Sequence, residues 1–460
     1  MNRRWYFACA GAILLALLIR QPLILIVGLL ALLVVITIDT WATYCLTDLR
    51  FERELSEKRV AFGAEVTLAV AVENAKLLPL PWLEIEDNLS RTLRVRGRQL
   101  RVNPTTNRAI LESLFSTRWY ERVTRRYTIQ CNTRGVHTFG PTTLSSGDLF
   151  GFTERVETLE NRQYLIVCPL IVPLSSFSLP ARHPFGDRRA PRRLLEDPSR
   201  VIGVRDYVYG DDLRRVHWKA TARTMQLQSK IYEPTTTYTL VMFLNVSTQS
   251  NSAFGPFNPY EELLELSVCA AASVADWALN EGYAVGLSTN GFLHTPELGG
   301  TQEMTAQQQD ASKQAALNSS SRIALKRRRV QIPPASSGEQ RKRIMEALAR
   351  VQSFFSGSME EMLQSDATHL PAGATVVVIT ATISDPLLDA LKRLRQAGHA
   401  VTILLASNQP IGSRLGGIPV HYLGGEETWN KLTACYNLLE GKEQQARDAQ
   451  QEVAATAFHL

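Results

Sequence analysis

The stretch Gly203–Glu233, GVRDYVYGDDLRRVHWKATARTMQLQSKIYE, is dense in Arg, Asp, Tyr, Trp and His. Hydrolytic chemistry would use His217 as a base, with Asp211 or Asp212 as its carboxylate partner. The spacing disfavours that. On one helix, Asp212 and His217 stand about 140° apart, and no Ser or Cys beside them is visibly activated. A second candidate lies after the apolar run Tyr238–Leu244, where the loop Asn245-Val246-Ser247-Thr248-Gln249-Ser250 begins. Open α/β sheets bind ligands beyond the carboxyl ends of their strands. The run Val376–Ile379 ends likewise at Thr380-Ala381. No GxGxxG, Walker A loop or G-x-S-x-G elbow follows any strand, so nucleotide binding and serine-hydrolase chemistry have no support.

The elements that must position these residues are readable from local pattern. Tyr209-Gly210-Asp211 is a turn, and Asp211 or Asp212 is a good N-cap for a helix of about three turns. Leu213, Val216 and Ala220 would share one face of it. Leu227, Ser229 and Ile231 alternate with Gln228, Lys230 and Tyr232, a strand period. The stretch is thus either an active site or a charged brace between modules. Downstream, helices Glu261–Asn280, Gln340–Phe354 and Asp385–Gln396 alternate with strands Tyr283–Ser288, Thr375–Ile379 and Ala400–Leu405. Such alternation predicts a doubly wound α/β domain. Asp385 reads as a helix N-cap. Residues 301–321 read as an insertion and Lys326–Arg329 as a charge run, which phosphate or lipid headgroups could neutralise.

Upstream, two apolar runs, Trp5–Ile19 and Leu23–Ile38, are separated by Arg20-Gln21-Pro22. Each approaches the roughly 20 residues that span a bilayer, and Trp5, Trp41 and Tyr44 are suited to its interfaces. Arg3 and Arg4 before the runs, and Arg50, Arg53, Lys58 and Arg59 after them, predict a hairpin with both ends in the cytoplasm. The net charge of +6 fits that basic flank, and no nucleic-acid-binding motif accompanies it. The six cysteines are scattered without a CxxC pair, which argues against a zinc site and a disulfide scaffold. Residues 46–172 read as short strands between turns, a sandwich-like module in which His137 is a strand residue and Ser146–Gly151 a turn.

The α/β part resembles a von Willebrand factor type A domain. That family's first loop carries Asp-x-Ser-x-Ser for a divalent metal, and a later loop adds an Asp. Here the corresponding positions hold Asn245, Ser247, Gln249 and Thr380-Ala381. A hard cation wants anionic oxygens, so losing both carboxylates predicts weak magnesium binding at best. The pattern Gly203-x-Arg205-x-Tyr207-x-x-Gly210-Asp211-x-x-Arg214-x-x-x-Trp218-x-x-x-Ala222-Arg223 resembles the signature of the domain of unknown function 58 family. Arg134-Gly135, Phe139-Gly140-Pro141 and Asp148-Leu149-Phe150-Gly151 match that family's upstream pattern.

The resemblance implies a membrane-anchored protein, and the apolar hairpin with its basic flanks predicts a multi-pass protein of the cell membrane with its large domains in the cytoplasm. It divides into two transmembrane helices (1–45), a β module (46–172), a linker with the signature (173–237), a type A-like domain (238–425) and a polar helical tail (426–460). The resemblance also implies work beside a MoxR-type AAA+ ATPase in assembling or maturing a client protein; no cofactor and no nucleic-acid partner is expected, since no motif for either is present. Gly203, Arg205, Tyr207, Gly210, Asp211, Arg214, Trp218 and Arg223 are then expected to form a junction braced by ion pairs and a packed indole. The expected function is a non-enzymatic scaffold or adaptor. The competing expectations are an adhesion-type metal-dependent binder and, less favoured, a hydrolase.

Overall fold

The computed structural model describes residues 4–19, 22–147, 153–177, 179, 195–235, 238–248, 260–294, 330–355, 357–371 and 373–436. Asp148–Gly151, Gln249, residues 301–321, Lys326–Arg329 and the tail beyond 436 lie outside them. Two compact units emerge, one mainly Met1–Cys168, the other mainly Pro169–His294 and Met304–Leu460.

The first unit begins with α1 (Arg4–Ile19) and α2 (Pro22–Tyr44). They run antiparallel: the Tyr6 hydroxyl donates to Asp39 Oδ2 at 2.9 Å, and Gly28 meets Ile13. Among the described residues one helix, α2, is long and apolar enough to cross a membrane; α1 has 16 residues.

Twelve strands follow: β1 (Leu49–Leu55), β2 (Arg59–Val60), β3 (Glu65–Asn74), β4 (Leu80–Leu89), β5 (Arg94–Val95), β6 (Arg101–Asn103), β7 (Arg108–Thr117), β8 (Arg122–Gln130), β9 (Gly135–Phe139), β10 (Thr142–Gly147), β11 (Glu154–Leu159) and β12 (Gln163–Val167). They pair as β1-β3-β8-β5, β11-β10-β4-β7-β6 and β2-β12-β9. The alternation of Val66, Leu68, Val70 and Val72 does what a period of two should, burying that face of β3. It shares one apolar cluster with Leu83 and Ile85 of β4, Leu111 and Phe115 of β7, and Ile129 of β8. Truncating a residue as enclosed as Phe115 to Ala costs about 3–5 kcal/mol.

Beside that core lies a buried ion pair. Arg53 donates to Asp87 Oδ1 at 2.6 Å, to the Phe139 carbonyl at 3.2 Å and to the Asn161 carbonyl at 2.6 Å. Gly140, at φ +88°, has no room for a side chain, because a Cβ would run into the Asn161 carbonyl. The Phe139-Gly140-Pro141 motif therefore closes the backbone around a buried guanidinium.

The second unit contains a hairpin, β13 (Leu195–Asp206) with β14 (Gln228–Thr235), and a seven-stranded sheet. Its strands are β15 (Thr239–Leu244), β16 (Ala284–Thr289), β18 (Val330–Ala335), β20 (Thr375–Thr380), β21 (Ala400–Ala406), β22 (Arg414–Leu415) and β23 (Ile418–Gly424), ordered β18-β16-β15-β20-β21-β23-β22. The five from β16 to β23 are parallel, while β18 and β22 pair antiparallel at the edges. A short ladder joins β17 (Gly291–Leu293) to β19 (Val351–Phe355). Helices α4 (Glu261–Asn280), α5 (Gly338–Arg350), α6 (Met359–Ala367) and α7 (Asp385–Gln396) connect the strands. The Ala-rich face of α4 is small enough to lie against β15, β16, β20 and β21 together. The third helix, α3 (Trp218–Thr224), belongs to the excursion between β13 and β14.

Several expectations need correction. The predicted helix Gln340–Phe354 stops at Arg350, because β-branched Val351 turns extended and the segment through Phe355 pairs as a strand. The N-cap of α7 is Ser384, whose hydroxyl accepts from Leu387 N, and Asp385 is in the first turn instead. The strand period at Leu227–Tyr232 falls in β14 from Gln228 onward, whereas its partner β13 takes in residues 195–200, whose composition reads as linker.

Candidate functional site

The excursion from β13 to β14 is built around Asp211. Arg205 donates to its Oδ1 at 2.7 Å, Val208 N to its Oδ2 at 3.2 Å, and the Tyr207 hydroxyl to its backbone carbonyl at 2.9 Å. The amide of Val208, with Arg205 next, holds the Asp211 carboxyl below the usual range. Gly210, at φ +110°, supplies the turn that brings Asp211 back over Val208. At the base, Gln228 Nε2 donates to Asp206 Oδ1 at 2.6 Å and Tyr207 N to the Leu227 carbonyl at 2.9 Å.

The single helix expected from Asp211 onward is instead two short pieces. Asp212 caps a 3-10 turn, Leu213–Arg215, and α3 then starts at Trp218. Val216 breaks the run by turning extended, bridging Ser229 and burying its side chain. His217 caps α3, its Nδ1 accepting from Ala220 N at 3.0 Å. Asp211 is bound to Arg205 and Val208 N, Asp212 Oδ1 accepts from Arg214 N, and among the described residues neither carboxylate bonds His217.

The expected packed indole is also corrected. Trp218 is 68% exposed, Tyr209 102%, Leu213 67% and Met225 89%. Gly203 lies in β13, while Arg214 and Arg223 are exposed, and among the described residues neither makes an ion pair. The Arg205–Asp211 pair is present; the indole it was expected to accompany faces solvent. The arm therefore presents Tyr209, Leu213, Trp218, Met225 and arginines to solvent, and of these Trp, Tyr and Arg are the types enriched in binding hot spots.

The second cluster sits at the carboxyl ends of β15, β16 and β20. Asn245 Nδ2 donates to Thr380 Oγ1 at 3.0 Å, and Asn290 Nδ2 donates to Asn245 Oδ1 at 2.9 Å. Asn290 Oδ1 accepts from Val246 N at 2.9 Å, and Thr380 Oγ1 donates to the Thr382 carbonyl at 2.6 Å. Ser247 contributes its backbone N–H to Asn245 Oδ1 at 3.1 Å. All three principal side chains are buried. A divalent cation needs anionic oxygens, whereas these neutral groups already satisfy one another. Among the described residues no group of three His, Cys, Asp or Glu side chains could hold a metal. Asn290 was not singled out from sequence, although its place directly after a parallel strand is the same signal that marked Asn245.

Residues 203–411 match the family described as "Protein of unknown function DUF58". This stretch belongs to the DUF58 family. Both the exposed arm and the Asn245 cluster fall inside the DUF58 match. The chain is also similar to "Uncharacterized protein YeaD" of Bacillus subtilis, 26% identical over 272 residues, which is 59% of this chain and 60% of that protein. Solved structures with partial likeness include a CARDB domain from Pyrococcus furiosus in complex with di-metal ions, 11% identical, covering 26% of this chain and 92% of that one at a TM-score of 0.19. A cohesin module from Clostridium perfringens is 8% identical, covering 25% and 96% at a TM-score of 0.19.

Proposed function

We propose that this DUF58 protein is a membrane-anchored, non-enzymatic adaptor that cooperates with a MoxR-type AAA+ ATPase in assembling or maturing other proteins. The observation that carries this reading is the arm 207–227, whose backbone is fixed by Asp211 while Tyr209, Leu213, Trp218 and Met225 face solvent. An exposed aromatic and aliphatic surface rimmed by arginine marks a protein-interaction site. The parallel order β16-β15-β20-β21-β23 supports reading the α/β part as von Willebrand factor type A-like, working without a metal because Asn245 and Thr380 replace carboxylates. Both α1 and α2 then cross the membrane as a hairpin, leaving the larger units in the cytoplasm.

The test uses the full chain in phospholipid nanodiscs and a purified MoxR-type ATPase from the same organism. Saturable binding that is lost in a Tyr209→Ala/Trp218→Ala variant is expected. Absence of binding, or equal binding by that variant, overturns the proposal.

A further inference from the structure

The β module carries a groove that the adaptor reading does not use. The segment Arg91–Arg101, RTLRVRGRQLR, holds five arginines and no acidic residue. It forms β5, an edge strand of the four-stranded sheet, then crosses to β6, the edge strand of the five-stranded sheet. Between them opens a cavity of about 450 Å³, lined by Arg91, Arg94, Arg96 and Arg98 with Leu100 and Val102, and none of its lining residues is acidic. Some of this charge is already engaged: Arg91 donates to Asn107 Oδ1, Arg98 to the Glu112 carbonyl, and Arg96 lies 3.6 Å from Glu65. Among the described residues Arg94 has no ion-pair partner. Buried Val95 stands between exposed Arg94 and Arg96, and Arg96, just past the end of β5, still donates its backbone N–H to the Thr128 carbonyl at 2.9 Å, so the pairing with β8 carries both arginines on one face.

We propose that this groove binds an extended acidic peptide segment of a partner protein. Residues two apart in a strand repeat at about 6.7 Å, the same spacing as alternate side chains of an extended ligand. Arg94 and Arg96 thus match a segment with carboxylates at alternate positions, each guanidinium offering a planar fork to a carboxylate. Leu100 and Val102 give the intervening apolar side chains a surface to cover. Two other anionic ligands fit less well. Helix α2 contacts β10 and β11, at the opposite side of the five-stranded sheet from β6. Three to four strand spacings, roughly 14–19 Å, separate them, which places the groove away from lipid headgroups at the helix. Single-stranded nucleic acid needs open aromatic platforms; the groove's apolar surface is aliphatic, and Tyr127 is covered by Arg98. The proposal is independent of the ATPase reading, because it concerns a different unit of the chain.

The experiment measures fluorescence anisotropy with the full chain in phosphatidylcholine nanodiscs and a labelled peptide alternating Glu with Val. An Arg94→Gln/Arg96→Gln variant is expected to bind about tenfold more weakly, while Arg122→Gln, an equally exposed charge on β8, leaves binding unchanged. The Gln-for-Glu peptide is expected not to bind. Equal loss in Arg122→Gln, or equal binding of the Gln peptide, overturns the proposal. So does a double-variant defect that appears with phosphatidylglycerol nanodiscs, an oligonucleotide or inorganic phosphate and not with the peptide.

Discussion

The side-chain amide of Asn245 donates to the hydroxyl of Thr380 at 3.0 Å, tying together the ends of two neighbouring parallel strands 135 residues apart in sequence. Both groups are buried, and each is also held by a third partner, Asn290 for the amide oxygen and Thr382 for the hydroxyl. Such a closed set resists removal of any member. Asn245→Ala leaves Thr380 and Asn290 short of partners and is expected to cost about 1–3 kcal/mol, read by denaturant unfolding. Unchanged stability would mean that water replaces the amide at no cost.

Arg53 and Asp87 form a pair with almost no side-chain exposure. Removing one partner strands a charge in the core. Arg53→Met is therefore expected to destabilise the β module by about 3–5 kcal/mol. Arg53→Met combined with Asp87→Leu should recover much of that loss in the same unfolding assay.

His137 is buried in β9, with Nε2 donating to the Thr133 carbonyl at 2.9 Å and Nδ1 3.3 Å from the Thr92 hydroxyl. Burial lowers its pKa, against the smaller opposing pull of the Thr133 carbonyl. The folded state therefore favours the neutral ring. Its contribution is fully present above the unfolded histidine value of about 6.5 and is lost as pH falls toward the lower folded value. Thermal unfolding between pH 7.5 and 5 should show a falling midpoint, with a shallower fall in His137→Gln.

The arm separates scaffold from surface. Trp218→Ala removes an exposed ring and is expected to change stability by less than about 0.5 kcal/mol. Asp211→Ala removes the acceptor for Arg205 and for Val208 N, and should open the arm to limited proteolysis. If Trp218→Ala were the more easily cleaved variant, the indole would be structural after all.

Gly140→Ala should be among the most damaging single changes in the β module, at about 2 kcal/mol or more. Its backbone is left-handed, and the added methyl meets the Asn161 carbonyl and the Arg53 guanidinium. A melt of the purified variant checks this directly.

Long periodic elements were legible in the sequence because their patterns are local. The ends of α4, Glu261 and Asn280, and those of α7, Asp385 and Gln396, fall where periodicity puts them. The alternation at Val66–Val72 likewise marks β3. What escaped depends on distant partners. Val216 has a helical period with Leu213 and Ala220, yet a bridge to Ser229 wins it for the extended state. Val351–Phe355 could continue a helix until Gly291–Leu293 offers a strand to pair with. Ion pairs were expected among the signature residues without assigned partners, and Arg205–Asp211 is one; that Trp218 would face outward was not expected, since a tryptophan's burial is decided by neighbours that local pattern does not reveal. Asn290 became meaningful once β16 was placed beside β15.

Asp206 and Gln228 close the base of the arm through a side-chain bond and a ladder position, whatever lies between them. Loop closure costs little extra as length grows, so the intervening residues can be exchanged without refolding the sheet below. In mechanical terms the arm is a clamped loop: the Asp206–Gln228 bond separates what happens at its tip from the β13–β14 ladder beneath it.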